Sequence, residues 1–289
     1  MKNRTPMREL DPRERIKGFS EVALGYSAAE ALLEASRCLD CKRAPCVTGC
    51  PVGINIPKFI KGIREGRLKD ASDTIYEANY LPGICGRVCP QETQCEAKCV
   101  RGIKGEPVAI GRLERFVSDN WRQEIRKAPI DKEKVAVIGS GPAGLSCAAE
   151  LAQKGYAVHI FEALHAAGGV LTYGIPEFRL PQRVVDSEIE TLTRLGIAIH
   201  YNTVIGRTKK LQDLFNEGFQ AVFIGTGAGL PKFLGIPGEN LNGVLSANEF
   251  LTRINLMKAY LPEYDTPLRK MHRVVVVGGG NVAMDAARS

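Results

Sequence analysis

The sequence predicts two unlike folds in one chain, an all-α cysteine-rich domain followed by an α/β domain. Three observations carry this. Eight of the nine cysteines fall between Cys38 and Cys99. An apolar run, Val135 to Ile138, leads directly into Gly139-Ser140-Gly141-Pro142-Ala143-Gly144 and an alanine-rich helix. A second run, Arg273 to Val277, meets a second glycine turn at Gly278. At 289 residues the chain can hold two cores. Its 44% hydrophobic and 25% charged residues are a globular composition. No apolar run approaches the ~20 residues that cross a bilayer, and no apolar stretch follows the early Arg4 and Arg8 as in a signal peptide. The expected location is the cytoplasm, where structural disulfides are rare. The net charge is +7, but residues 1–131 hold 23 Lys and Arg against 18 Asp and Glu with no recurring basic block. Neither nucleic acid nor a membrane is expected as a partner.

Along the first domain, Ser27-Ala28-Ala29-Glu30 has the form of a capping box and opens a helix that runs up to Cys38. There the spacing becomes Cys38-x2-Cys41-x4-Cys46-x3-Cys50-Pro51. Short loops of this kind let several thiolates converge on one centre, and the closing x3-C-P is that of bacterial ferredoxins. Two helices follow, Asn55 to Glu65 with an early proline and Leu68 to Asn79. Then come Cys85-Gly86-Arg87-Val88-Cys89-Pro90, Cys95 and Cys99. A helix over Glu92 to Val100 would put Cys95 and Cys99 on one face. Pro107 to Lys127 reads as the last helix, with Trp121 packing in its core, and Lys127-Ala128-Pro129 as a linker. With Cys147 alone in a later helix, eight cysteines remain for two four-ligand sites. These could hold iron–sulfur clusters or zinc, and the lack of repeated C-x2-C pairs argues against zinc.

Arg37-Cys38-Leu39-Asp40-Cys41, Gly49-Cys50-Pro51, Cys85 to Pro90 and Ile110-Gly111-Arg112-Leu113-Glu114-Arg115 resemble the N-terminal domain of the glutamate synthase small subunit family. Related domains occur in the large subunit of NADH-dependent reduced ferredoxin:NADP oxidoreductase and in dihydropyrimidine dehydrogenase. The resemblance implies an α-helical ferredoxin domain with two interleaved [4Fe–4S] clusters. Cys38, Cys41, Cys46 and Cys99 would hold one; Cys50, Cys89, Cys95 and Glu114 would hold the other. Cys85, which counting alone would include, is then a neighbour.

The α/β domain is Rossmann-like. Gly139 permits the tight turn, and Gly141, with Pro142 and Ala143 opening the helix, lets backbone amides reach a pyrophosphate. Gly144 allows close packing of that helix, which runs to Gln153. The second strand, Tyr156 to Phe161, ends at Glu162, placed to accept bonds from ribose hydroxyls. The helix N-terminus favours the anion. This fingerprint does not choose between FAD and NAD(P). Gly168-Gly169-Val170-Leu171 and Gly174 to Pro181 resemble the segment that lines the flavin in the family, with Arg179 supplying charge near flavin or pyrophosphate. Ala221 to Ala228, a strand running into a glycine turn with Thr226, resembles a second FAD contact. His159, His165, His200 and His272 form no pair at metal spacing, and no catalytic side chain is assigned.

The second unit, Arg273 to Val277 with Gly278, Gly280, Asn281, Val282 and Ala283, reads as a buried strand and turn opening an NAD(P)H domain. Its helix stops at Ser289, so the chain reads as C-terminally truncated. The expected domains are 1–128 with two clusters, 129–272 with FAD, and 273–289 beginning the NAD(P)H domain. By resemblance, electrons pass from NADPH through FAD and the clusters to a partner. That partner would be a large glutamate synthase subunit or, alternatively, a small flavoprotein subunit or ferredoxin. A non-catalytic electron-transfer module is the reading if the truncation is natural.

Overall fold

The computed structural model describes residues 3–121, 123, 127–269 and 271–289. It divides into two compact units, 1–126 and 127–289.

In the first unit a two-stranded antiparallel ribbon, β1 (Arg8–Glu9) and β2 (Ala23–Gly25), flanks a short helix α1 (Pro12–Arg15). Six helices follow: α2 (Ala28–Ala35), α3 (Pro45–Gly49), α4 (Ile56–Arg64), α5 (Leu68–Tyr76), α6 (Pro82–Val88) and α7 (Ile110–Asn120). The capping box forms as the sequence implies. Ser27 Oγ accepts from Glu30 N–H at 3.3 Å, and Glu30 Oε2 accepts from Ser27 N–H at 2.6 Å. In α4, Ile56, Phe59, Ile60 and Ile63 recur at helical spacing and all are buried. They meet Ala71 and Ile75 of α5 and Leu113 and Val117 of α7 in one core. A charged pair lies inside it. Glu34 accepts from Thr5 N–H (2.6 Å), Ala109 N–H (2.8 Å) and Arg37 Nη1 (2.6 Å), while Arg37 Nη2 donates to Glu106 O at 2.6 Å. With its lone pairs used in this way, the carboxylate ties the start of the chain to α2 and to the approach to α7.

Two expectations are corrected here. The segment Glu92 to Val100 is not a continuous helix. It makes separate 3-10 turns over Gln91–Thr93 and Glu96–Lys98, with Gln94 at φ −116°, ψ −109° and Cys99 extended. The last helix is also shorter than Pro107 to Lys127. It ends at Asn120, whose side chain bonds the carbonyl of Phe116 at 2.8 Å, and Trp121 is extended and 38% exposed rather than packed. Ser118, Asp119 and Asn120 favour such local bonds over helix continuation. Residues 122 and 124–126 of that expected helix lie outside the described residues.

The second unit is built on a four-stranded parallel sheet of order β5-β4-β3-β6. Its strands are β3 (Lys134–Ile138), β4 (Ala157–Phe161), β5 (Ala198–His200) and β6 (Phe219–Ile224), with α8 (Pro142–Gln153) crossing from β3 to β4. Leu145, Ala148, Ala149 and Ala152 form the buried stripe of α8. The remaining helices are α9 (Val170–Tyr173), α10 (Gln182–Thr193), α11 (Leu211–Asn216), α12 (Ala247–Asn255) and α13 (Asn281–Arg288). The buried strand expected over Arg273 to Val277 does not form. Val274, Val275 and Val277 are 63%, 88% and 73% exposed. A parallel strand needs a hydrogen-bonded neighbour and covered faces, and this stretch joins no sheet. Residues 273–289 cluster with the rest of the second unit, α13 lying against α12.

The core of the first unit should be intolerant of cavities. Phe59→Ala, at a wholly buried position, is expected to cost about 3–5 kcal/mol, read as a lowered urea midpoint.

Candidate metal and dinucleotide sites

The cysteine segments meet because glycines let backbones touch. A Cβ on Gly49 would lie 2.8 Å from Gln94 O and 3.2 Å from Cys95 Cα. The helix α3, carrying Cys46 and ending at Cys50, therefore packs directly on the segment carrying Cys95 and Cys99. Likewise a Cβ on Gly86 would come within 2.6–2.7 Å of Arg115 backbone. That contact seats α6, which ends at Cys89, against α7, which carries Glu114.

Two groups of candidate ligands result. Cys38, Cys41, Cys46 and Cys99 line one pocket, with apolar side chains including Ile56, Ile60, Val108 and Ile110. Asp40, at φ +51°, turns the loop so that its N–H donates to Cys38 Sγ. Val108 N–H donates to Cys99 Sγ at 3.5 Å. In the second group, Cys89 and Cys95 lie within electrostatic reach of Cys50 and of Glu114. Glu114 is 6% exposed on α7. The break at Gln94 and the extended Cys99 are what send Cys95 to one group and Cys99 to the other. A regular helix would have kept both on one face.

These are thiols set for a metal centre rather than for nucleophilic work. Burial pushes the Cys46 thiol up to about 11, with Cys99 and Cys38 adding to it. Burial, then Glu114 and Cys50, pushes Cys89 up to about 11. Cys95 is raised further still, again chiefly by burial. Such groups stay protonated until a cationic centre displaces the protons. Among the described residues no three His, Cys, Asp or Glu side chains are placed to hold a single ion. The four thiols around a cavity fit a multi-iron cluster, whose ligands approach from several directions. Cys85 Sγ lies 3.8 Å from Asn79 Oδ1.

In the second unit three turns converge at the C-terminal edge of the sheet. Gly139, at φ +95°, leads through Gly141 to Pro142 and Ala143 at the start of α8. A Cβ on Gly144 would lie 1.9 Å from Gly139 O, so only glycine lets α8 sit this close to β3. Gly169, at φ +53°, brings its position for a Cβ within 2.8 Å of Gly141 Cα, which sets Val170 and α9 beside the first turn. From β6, Gly225 N–H donates to Ile138 O at 2.8 Å, and Thr226 Cα would lie 3.2 Å from a Cβ on Gly139. Space beside Gly141 stays open, with nothing within 4 Å of where a Cβ would be. An open glycine at a helix N-terminus fits a pyrophosphate.

Glu162 is buried and joined to this turn through Ser140. Its Oε2 accepts from Ser140 N–H (2.9 Å) and Ser140 Oγ (2.5 Å), and its Oε1 from Leu164 N–H (2.8 Å). Ser140 gave no signal beyond its place between two glycines. Arg179 is bonded elsewhere, at 2.5 Å to Asp285 on α13. That helix starts at Asn281 with Gly280 as its N-cap, Gly278 is at φ +139°, Val282 is exposed and Ala283 is buried. The second glycine turn and its helix therefore form without the strand expected before them. The structure also pairs two histidines that spacing alone kept apart. His159 Nδ1 and His200 Nε2, on β4 and β5, are 2.9 Å apart with rings stacked at 6°. The only signal was their position on two strands that turn out to be neighbours.

Residues 15–126 match the family of dihydropyrimidine dehydrogenase domain II, 4Fe-4S cluster, and residues 133–289 match pyridine nucleotide-disulphide oxidoreductase. The two matches together define the class: a chain with a 4Fe-4S cluster domain followed by a pyridine nucleotide-disulphide oxidoreductase domain. The chain belongs to the pyridine nucleotide-disulphide oxidoreductase family, and over almost its whole length it is a homologue of the glutamate synthase small chains. It is 37% identical to the glutamate synthase [NADPH] small chain of Escherichia coli (strain K12), over 94% of this chain and 59% of that one. It is 39% identical to the NAD-dependent dihydropyrimidine dehydrogenase subunit PreT of the same strain, over 93% and 64%. Identity is also 39% to the NADP(+)-dependent formate dehydrogenase subunit beta of Moorella thermoacetica, over 85% and 37%. The chain thus spans about half the length of the curated relatives it matches. No helix among the described residues is long and apolar enough to cross a membrane.

Two outcomes follow from this geometry. Gly144→Ala should force α8 off β3, costing about 1–3 kcal/mol and lowering the flavin content of purified protein. Burial, then His200 and Lys134, holds His159 below its ordinary 6.5. As pH falls through 6.5 the unfolded chain takes up the proton first, so stability should decline until the folded imidazole is also protonated, and stay flat above 6.5. His159→Gln should remove that slope, measured as the urea midpoint against pH.

Proposed function

We propose that the chain is an electron-relaying subunit of the NADPH-dependent glutamate synthase small-chain type, acting in the cytoplasm and delivering electrons to an active site on a partner. One observation supports this above others: a single chain carries two groups of thiols and a dinucleotide turn. Residues 1–128 would be the cluster domain, 129–272 the FAD domain, and 273–289 the opening of the NADPH domain. When bound, FAD accepts a hydride and the [4Fe–4S] clusters carry single electrons.

The chain's own residues have holding and orienting roles. Cys38, Cys41, Cys46 and Cys99 would bind one cluster, and Cys50, Cys89, Cys95 and Glu114 the other. Amides of Gly141, Ala143 and Gly144, behind Pro142 at the helix start, and the dipole of α8 would hold the FAD pyrophosphate, Glu162 would orient its ribose, and Gly169, Val170 and Thr226 would bound its path. Gly278, Gly280, Asn281, Val282 and Ala283 would take the NADPH phosphates at the start of α13. The bond from Arg179 to Asp285 ties the flavin-lining segment to that helix.

Two partners of different chemistry suit this relay. A large glutamate synthase subunit is the first. Relatives of nearly equal identity are named for formate and dihydropyrimidine dehydrogenases; the second partner is a small flavoprotein subunit or ferredoxin, in a reduced ferredoxin:NADP oxidoreductase.

Anaerobically purified protein is expected to contain iron, acid-labile sulfide and FAD, and NADPH should bleach the flavin absorbance. Adding a large subunit with 2-oxoglutarate and ammonia should yield glutamate. Zinc with no sulfide, or flavin that NADPH leaves oxidised, would overturn the proposal. NADPH-linked ferredoxin turnover without glutamate would move it to the second partner.

A further inference from the structure

The second thiol group draws a carboxylate into its reach, and the structure contains a device that orients it. Asn79 follows α5 and is 8% exposed. Its side-chain Oδ1 accepts from Leu81 N–H at 3.0 Å, at the start of α6. Its Nδ2 donates to Glu114 Oε1 on α7 at 2.8 Å. The first bond fixes the second: a flipped amide would set its NH2 against the Leu81 N–H, donor against donor. The same Oδ1 has the Cys85 thiol at 3.8 Å. One buried amide therefore meets the two residues, Glu114 and Cys85, that compete for the fourth place beside Cys50, Cys89 and Cys95.

We infer that Asn79 is a positioning residue that holds one oxygen of Glu114 and aims the rest of the carboxylate at Cys50, Cys89 and Cys95. It makes Glu114 rather than Cys85 the fourth ligand of that site. The inference rests on the cluster reading proposed above. An ionised carboxylate has about four lone-pair sites, so the bond from Asn79 fixes its orientation without using its whole capacity. A hydrogen bond to a ligating group also draws charge from it, so Asn79 sets the potential of this cluster and not of the one held by Cys38, Cys41, Cys46 and Cys99. Gly86 supports the arrangement by seating α6 on the backbone of Arg115, the residue next to Glu114.

The test is an EPR-monitored redox titration of the whole chain, reconstituted anaerobically with iron and sulfide. It compares wild type with Asn79→Asp, Glu114→Cys and the double variant. Asn79→Asp keeps the side-chain shape and the acceptor for Leu81 N–H but has no NH2 for Glu114. The expected result is one cluster with a shifted midpoint potential and altered signal, the other unchanged. In the Glu114→Cys background, Asn79→Asp should shift nothing further. Loss of that one cluster in Asn79→Asp, restored by Glu114→Cys, would support the inference equally. Two unmoved signals at full iron content would overturn it alone, as would a shift that persists undiminished in the Glu114→Cys background. Wild type without iron and sulfide would overturn the cluster reading and the inference together.

Discussion

The first unit depends on backbones packed against one another without side chains between them. No single segment can surround a cuboidal centre, so the ligands must come from several. Gly49 brings the Cys46–Cys50 helix onto the segment after Gln94, and Gly86 brings the Cys85–Cys89 helix onto α7. A side chain at either glycine would collide with main-chain atoms, which have no rotamer to escape into. The remaining architecture follows: α4 and α5 supply the apolar floor, and the buried Glu34–Arg37 pair anchors the chain just before Cys38.

That arrangement sets the energetics of loading. Burial, with nearby thiols and carboxylates, makes Cys38, Cys46, Cys89 and Cys95 hold their protons tightly. A cationic centre held there would have to displace those protons, which makes loading pH-dependent. The arginine–carboxylate network of Glu21, Arg87, Arg115 and Asp119 buries both guanidinium groups, with Asp119 at its exposed edge. It would be costly if one member were lost, because the others would be left as buried unpaired charges.

In the second unit the sheet acts as a rack for loops. The ends of β3, β4 and β6 each deliver a turn to the same edge, and the contacts of Gly139 with Gly225 and Thr226 and of Gly169 with Gly141 are made by main chain. Main-chain walls suit a pyrophosphate, which needs oriented amides more than side chains. Ser140 and Glu162 lock the turn at one end, and Arg179 and Asp285 couple the neighbouring segment to α13.

Much was legible in the sequence because it was local. Capping at Ser27, the amphipathic α4, the strand–glycine–helix fingerprint and the clustering of eight cysteines depend on spacing along a few residues, and these determined the two kinds of domain. Spacing misled where long-range packing decided the backbone. Cys95 and Cys99 are four apart, yet contact with Gly49 breaks their segment and sends the thiols to different groups. Val274 to Val277 have strand composition, yet a strand exists only with neighbours to pair with. Asn79 carried no signal at all, since its meaning lies in meeting Glu114 across 35 positions. The sequence by itself determined which chemistry the chain can hold, because residue types and local periodicity do that. Only the tertiary structure decided which cysteine sits with which, because that depends on how closely separate backbones can approach.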